Sequence, residues 1–350
     1  ALTENVHRDV DVLMLYPMDL VASDERFGSW MTQYGYANYI TTEMLLQKGR
    51  VTADGHIDLA GRRFSTLVAL YEIVPDRALL SMMKRLAETG GRVIWSGPPP
   101  LLAADGRECL TEWQELFGVT RKPTIFQGEQ AAGKLVKFSH ELSALAPMTI
   151  LTDFIVDRIY PVQNISGRIV ARVNDQVVGV SRALEKGSVT YLGFRPRDDQ
   201  SASLGEESRT WFEILDALAC YPATAAFKGV NDNTEHLSRT TDFLCTRFPN
   251  GTTIVTNHYR LHEENWPGGF SRNSAIDDSL LRLNPLPSDR LAFEKFKVNG
   301  HEATFDGRLI MAFRTDQERR LLGFYGRDCD RVTIDGKEYI LSDRKLQQIG

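Results

Sequence analysis

Charged groups that could hold a ligand crowd the stretch FRPRDDQSASLGEESRTW, residues 194 to 211. Arg195, Arg197, Asp198 and Asp199 stand just past an apolar run that reads as a strand. Ligands of open α/β sheets bind beyond the carboxyl ends of the strands. Guanidinium forks and carboxylates placed there suit a sugar hydroxyl or a ligand carboxylate. The competing reading is a solvated loop whose charges pair locally or cap the next helix. Glu263 and Glu264 in HEENWPGG, with Trp266 beside them, form a second candidate, because sugar rings stack on exposed aromatic faces. Asp153 and Asp157 in LTDFIVDRIYP form a third, with a loop ion pair to Arg158 as the plainer role. Glycosidase chemistry needs its two carboxyl groups about 5 Å apart for retention and roughly 6.5–9.5 Å apart for inversion.

Other chemistries find less support. RVIWSGPPPLL, residues 92 to 102, ends an apolar run in glycine and three prolines. Phosphate cradles and oxyanion holes use backbone N–H groups, and Pro98, Pro99 and Pro100 have none. The stretch therefore reads as a rigid strand exit, with Trp95 in the core and the prolines shaping a surface for another domain or subunit. GxGxxG, GxxxxGK[ST] and GxSxG patterns are all missing from this half of the chain. His258, His262 and Glu263 would make a metal half-site only on a helix, and the strand signal before them argues against one, so no metal and no cofactor are expected. Cys109, Cys220, Cys245 and Cys329 are scattered without a CxxC pair and read as packed thiols.

The elements that must position these residues divide the chain. At 350 residues it has room for two domains. VDVLMLYP, FSTLVALY and RVIWSG are buried strands separated by helical stretches. One helix is expected over 27–49, ending on Lys48 and Gly49. A second starts at Pro75 and Asp76 and carries Leu79, Met82, Met83 and Leu86 on one face. Shorter helices follow at 111–118, capped by Thr111, and at 210–221. Strands alternating with helices imply a doubly wound, mostly parallel α/β sheet of flavodoxin or amidotransferase type over residues 1–225. A β-rich insertion is expected at about 120–185, where GRIVARVNDQVVGVSRAL folds back on an Asn-Asp turn. Residues 226–350 read as a smaller all-β sandwich with Asn-Gly and Asp-Gly turns and a long loop at about 262–290. With 41 basic and 46 acidic residues and no basic tract, a nucleic-acid partner is not expected, and no apolar run is long enough for a membrane-spanning helix.

The element order DVLMLYP, YGYANYITTEMLLQKG, STLVALYEIVPDRALLSMMKRLAETGGRVIWSGPPP and KGSVTYLGFRP resembles a known domain. It is similar to the amidotransferase-like domain, called the trimerisation domain, that follows the catalytic barrel of bacterial β-galactosidases and occurs in other large multidomain glycoside hydrolases. The resemblance covers roughly residues 8 to 222 and runs into a β-sandwich, as in those enzymes. It departs from true class I amidotransferases: WSGPPP stands where the cysteine elbow belongs, and no HxE pair follows in that domain. The resemblance implies a non-catalytic region that works in assembly or shapes a sugar site, with an upstream catalytic domain or a second copy as partner and carbohydrate as ligand. Ala1, in place of a methionine, suits a processed chain or a portion of a longer protein. A free-standing glycosidase with a site between its domains, and a carbohydrate-binding module built on Trp266, are the two other readings.

Overall fold

Among the described residues β-strands dominate and helices are few. The computed structural model describes residues 7, 10–16, 37–122, 129–131, 133–145, 147–150, 158–195, 214–220, 243–248, 252–257, 293–298, 301–305, 310–315, 320–327, 331–340 and 347–348. It divides into two compact units, Asp11–Tyr221 and a second made of Ala1–Val10 with Pro222–Gly350.

The first unit is built on apolar runs that can survive only when both faces are covered. β1 (Val12–Leu15) is buried at every position. It pairs in parallel with β2 (Asn38–Ile40) on one side. Before the next core strand comes a small antiparallel meander, β3 (Arg50–Val51), β4 (Ile57–Leu59) and β5 (Arg62–Phe64). β6 (Thr66–Leu70), again wholly buried, joins β1 on its other side, and β7 (Arg92–Ser96) joins β6, both in parallel. Helix α1 (Thr42–Lys48) is capped by Thr41, whose hydroxyl accepts from the Met44 amide. Helix α2 (Arg77–Thr89) connects β6 to β7 and starts at Asp76, whose carboxylate accepts from the Ala78 amide at 2.7 Å. Its Leu79, Met83 and Leu86 lie in one buried cluster with Leu67, Val93 and Trp95 of the sheet.

Helix α3 (Leu110–Phe117) closes the same cluster with a group of rings. Trp113 meets Trp95 edge-on at 5.8 Å, Phe117 at 5.0 Å and Tyr191 edge-on at 5.1 Å. All four residues are fully buried. Large-to-small changes at such sites cost roughly 3–5 kcal/mol.

The remaining strands change the expected architecture. They are β8 (Val119–Arg121), β9 (Glu129–Gln130), β10 (Leu135–Phe138), β11 (Met148–Thr149), β12 (Arg158–Ile159), β13 (Val162–Asn164), β14 (Arg168–Val173), β15 (Gln176–Leu184) and β16 (Gly187–Leu192). β14 and β15 form the hairpin read from the Asn174-Asp175 turn. β15 then pairs antiparallel with β16, which lies parallel beside β7. The segment expected as an insertion is thus hydrogen-bonded into the main sheet. Among the described residues that sheet has eleven strands, running β11-β10-β14-β15-β16-β7-β6-β1-β2, with β13 attached to β15 and β8 to β13. It is a large mixed sheet, parallel only from β2 to β16, rather than the mostly parallel one expected.

Two helix expectations also change. Within 27–49 the described residues hold a strand, β2, before the helix, which starts only at Thr42. Tyr39 and Ile40 fit a pleated surface as well as a helical face, and pairing with β1 decides between them. α3 begins at Leu110 with Cys109 at its N-cap position and no side-chain cap, so Thr111 lies inside the helix. Of the helix expected at 210–221, residues 214–217 are described and helical.

The amino-terminal edge of the parallel strands is closed by backbone contact. A Cβ on Gly187 would stand 2.1 Å from the Gly91 carbonyl oxygen, and one on Gly55 would stand 2.4 Å from Gly90. The carboxyl edge is shaped differently. Tyr71, just past β6, has φ of 60°, a left-handed conformation that costs a bulky residue strain. It is held there by its amide, which donates to the Ser96 carbonyl at 2.7 Å. Gly97 crosses it so closely that a Cβ would lie 3.1 Å from Tyr71 Cα.

The second unit contains two antiparallel sheets among its described residues. One is formed by β17 (Phe243–Arg247), β18 (Thr252–Asn257), β21 (Ile310–Thr315), β22 (Leu321–Arg327) and β25 (Gln347–Gln348) in that order. The other holds β19 (Phe293–Val298), β20 (His301–Phe305), β23 (Arg331–Ile334) and β24 (Lys337–Ile340). Phe324 and Tyr339 meet edge-on at 4.9 Å and join the two sheets.

Two outcomes check this description. Tyr71→Gly and Tyr71→Ala remove the same ring contacts, so the strained backbone predicts the glycine variant to be the more stable by about 1 kcal/mol in urea unfolding. Cys220 is fully buried, and burial pushes its thiol up to about 12 from 9.0. The folded protein therefore keeps that proton where the unfolded chain would lose it. Its contribution to stability is complete below pH 9.0 and is lost as pH rises toward about 12. The denaturation midpoint of the native chain should fall over that window more steeply than that of Cys220→Ala, and iodoacetamide at pH 8 should label Cys220 only in denaturant.

Candidate functional site

A cavity of about 310 Å³ opens at the carboxyl edge of β6 and β7, where open α/β sheets place ligands. The segment after each strand supplies a wall. After β6 come Tyr71, Ile73 and Val74. After β7 come Pro98, Pro99, Leu101 and Leu102. Val74, Leu101 and Leu102 are 42%, 45% and 50% exposed, so the mouth carries an apolar rim.

The proline wall is fixed from beneath. Trp95 sends its indole N–H to the Pro98 carbonyl at 2.9 Å, while Gly97 donates to Leu192 of β16. The chain beyond the prolines folds back on itself: Cys109 donates to the Leu101 carbonyl at 3.1 Å and Ala104 to that of Pro75 at 3.0 Å. Prolines that cannot donate are thus held through their own carbonyl and through their neighbours.

Opposite chain segments complete the lining with polar groups. Gly118, left-handed at φ 64°, ends α3 and turns the chain into β8, which pairs antiparallel with β13. That register sets Arg121 against Val162, next to Tyr160 and Pro161, and Arg121 and Lys122 both line the cavity. The Arg121 backbone is pinned by its amide, which donates to the Gln114 side chain at 2.8 Å. Among the described residues neither cationic side chain is in an ion pair. Tyr160 is held by the buried Tyr191, whose hydroxyl donates to its carbonyl at 2.7 Å. The Tyr71 and Tyr160 hydroxyls meet at 3.2 Å.

Chemically, the lining offers two cations, two phenols and an apolar wall, and among the described residues it has no carboxylate, imidazole, thiol or aliphatic hydroxyl. Such a cavity can bind, and among the described residues its lining has no acid pair for glycoside cleavage. Cys109 lies outside it, 1% exposed, with burial pushing its thiol upward and away from nucleophilic character.

Of the candidate site residues singled out from sequence, only Arg195 lies among the described residues, and it does not line this cavity. Arg195 follows β16 and is 4% exposed, buried next to Phe194, whose carbonyl accepts from Ser96 at 2.6 Å. Its side chain is thus buried rather than open to solvent. Arg197, Asp198, Asp199, Asp153, Asp157, His258, His262, Glu263, Glu264 and Trp266 lie outside the described residues. Sequence reasoning missed Tyr71, Arg121 and Tyr160, which come from separate segments. The available signal was position: Tyr71 directly follows a buried strand, as Pro98 follows another.

No family model matches the chain, and no curated protein matches it. Among solved structures it is similar to Gan42B, a GH42 β-galactosidase from G. stearothermophilus, at 12% identity and a TM-score of 0.45 over 95% of this chain and 41% of that one. It is similar also to the β-galactosidase from Bacillus circulans sp. alkalophilus, at 12% identity and a TM-score of 0.45 over 72% of this chain and 36% of that one. A third is the cytoplasmic protein STM1381 from Salmonella typhimurium LT2, with 13% identity and a TM-score of 0.41 over 59% of this chain and 98% of that one. The chain spans less than half the length of the two β-galactosidases.

Proposed function

We propose that this chain is a non-catalytic, ancillary region of a bacterial glycoside-hydrolase-like protein, acting in assembly or in shaping a carbohydrate site. On this reading residues 1–225 are an amidotransferase-like α/β module that has no amidotransferase chemistry. The order of strands and helices in the sequence supports the relationship. The observation that carries the ancillary role is the lining of the cavity at the carboxyl edge. Where a catalytic module of this type would keep a nucleophile, the chain has Tyr71 after β6 and a proline run after β7. Its partner would be an upstream catalytic domain or a second copy of the chain. Arg195, Arg197, Asp198, Asp199, Glu263 and Trp266 remain its proposed carbohydrate contacts.

The purified chain, incubated with chromogenic α- and β-glycosides, should release no nitrophenol above the blank. Turnover that is abolished by substituting one of the chain's own carboxylates would overturn the reading.

A further inference from the structure

We infer that the cavity walled by Pro98 and Pro99 is a binding site for a small organic anion, a carboxylate carried on an apolar or aromatic body. This stands on the geometry of the cavity and not on the ancillary reading above.

The charge comes first. Arg121 and Lys122 bring two cations to one cavity, and among the described residues neither has a carboxylate partner. Arg121 is half-buried, and a guanidinium drawn partly out of water is stabilised by an anion that restores its lost hydration. Its planar fork matches a carboxylate, and the neighbouring ammonium adds a point charge. The Tyr71 hydroxyl supplies a further polar point within the cavity.

The walls set the rest of the ligand. Ile73, Pro99 and Pro161 offer carbon surface with nothing to hydrogen-bond, and Leu101 and Leu102 leave apolar surface in water at the mouth. An apolar body that covers this rim releases that water. Inorganic phosphate would meet the cations but not the walls, and the proline run gives it no amide nest. A neutral sugar would present many hydroxyls to walls that have few acceptors. The volume, about 310 Å³, suits a molecule of one ring and a short chain.

The site is also prepared in advance. Pro98 and Tyr160 are tied by hydrogen bonds to Trp95 and Tyr191, two fully buried rings, so the walls need not be ordered when a ligand enters.

Titration calorimetry on the purified chain tests this with 3-phenylpropionate, its neutral isostere 3-phenylpropan-1-ol, inorganic phosphate and galactose. The phenylpropionate should bind at least about tenfold more tightly than the alcohol, with phosphate and galactose weaker still. Arg121→Gln and Lys122→Gln should each remove about tenfold of that preference and leave the alcohol unchanged, with melting temperatures close to the native value. Leu101→Ser should weaken acid and alcohol alike. Equal binding of acid and alcohol, phosphate as tight as phenylpropionate, no binding of any probe, or indifference to both cation variants would each overturn the proposal. Glycoside turnover by the chain would overturn the ancillary reading alone.

Discussion

Two hydrogen bonds leave the buried aromatic cluster, and the carboxyl edge of the first unit depends on both. Trp95 reaches the Pro98 carbonyl and Tyr191 reaches the Tyr160 carbonyl. Each ring is buried for its hydrophobic area, and each of these two has a polar group that finds a partner, as buried polar groups usually do, whereas the Trp113 indole N–H in the same cluster has no partner among the described residues. In both cases the partner is the backbone of a cavity wall. Core packing and site geometry are therefore one structure: the rings cannot shift within the sheet and helix layers without moving the walls.

The same coupling explains why β16 sits at the centre of the sheet. Its Tyr191 faces α3, its Gly187 touches the turn before β7, and its Leu192 carbonyl accepts from Gly97. One strand thus fixes the amino edge, the helix layer and the exit of the neighbouring strand. Burial pushes the Tyr191 phenol well above its ordinary value, so it stays a neutral donor throughout the physiological range.

Legibility in the sequence followed the range of the interactions. β1, β6 and β7 were visible because a strand buried on both faces must be apolar throughout, and α2 because its cap and apolar face are local. The hairpin of β14 and β15 was visible through its turn. The attachment of that hairpin to the main sheet was not, because pairing between β15 and β16 leaves no composition signal different from that of an independent β insertion. β2 was hidden because three residues, Asn38–Ile40, are too few for a period to declare itself. The cavity was hidden for a related reason: Tyr71, Pro98, Arg121 and Tyr160 belong to four segments, and only tertiary pairing makes them neighbours. The proline run was legible as a rigid exit without amide donors, yet its cationic neighbours across the cavity were out of reach.

The glycine contacts at the opposite edge give the sheet a direction of permitted change. Where Gly187 meets Gly91 and Gly55 meets Gly90, backbone lies on backbone, so neither a side chain nor an added residue has anywhere to go. A side chain or an inserted residue therefore meets backbone at this edge. The tight glycine packing makes the amino edge the less forgiving of the two.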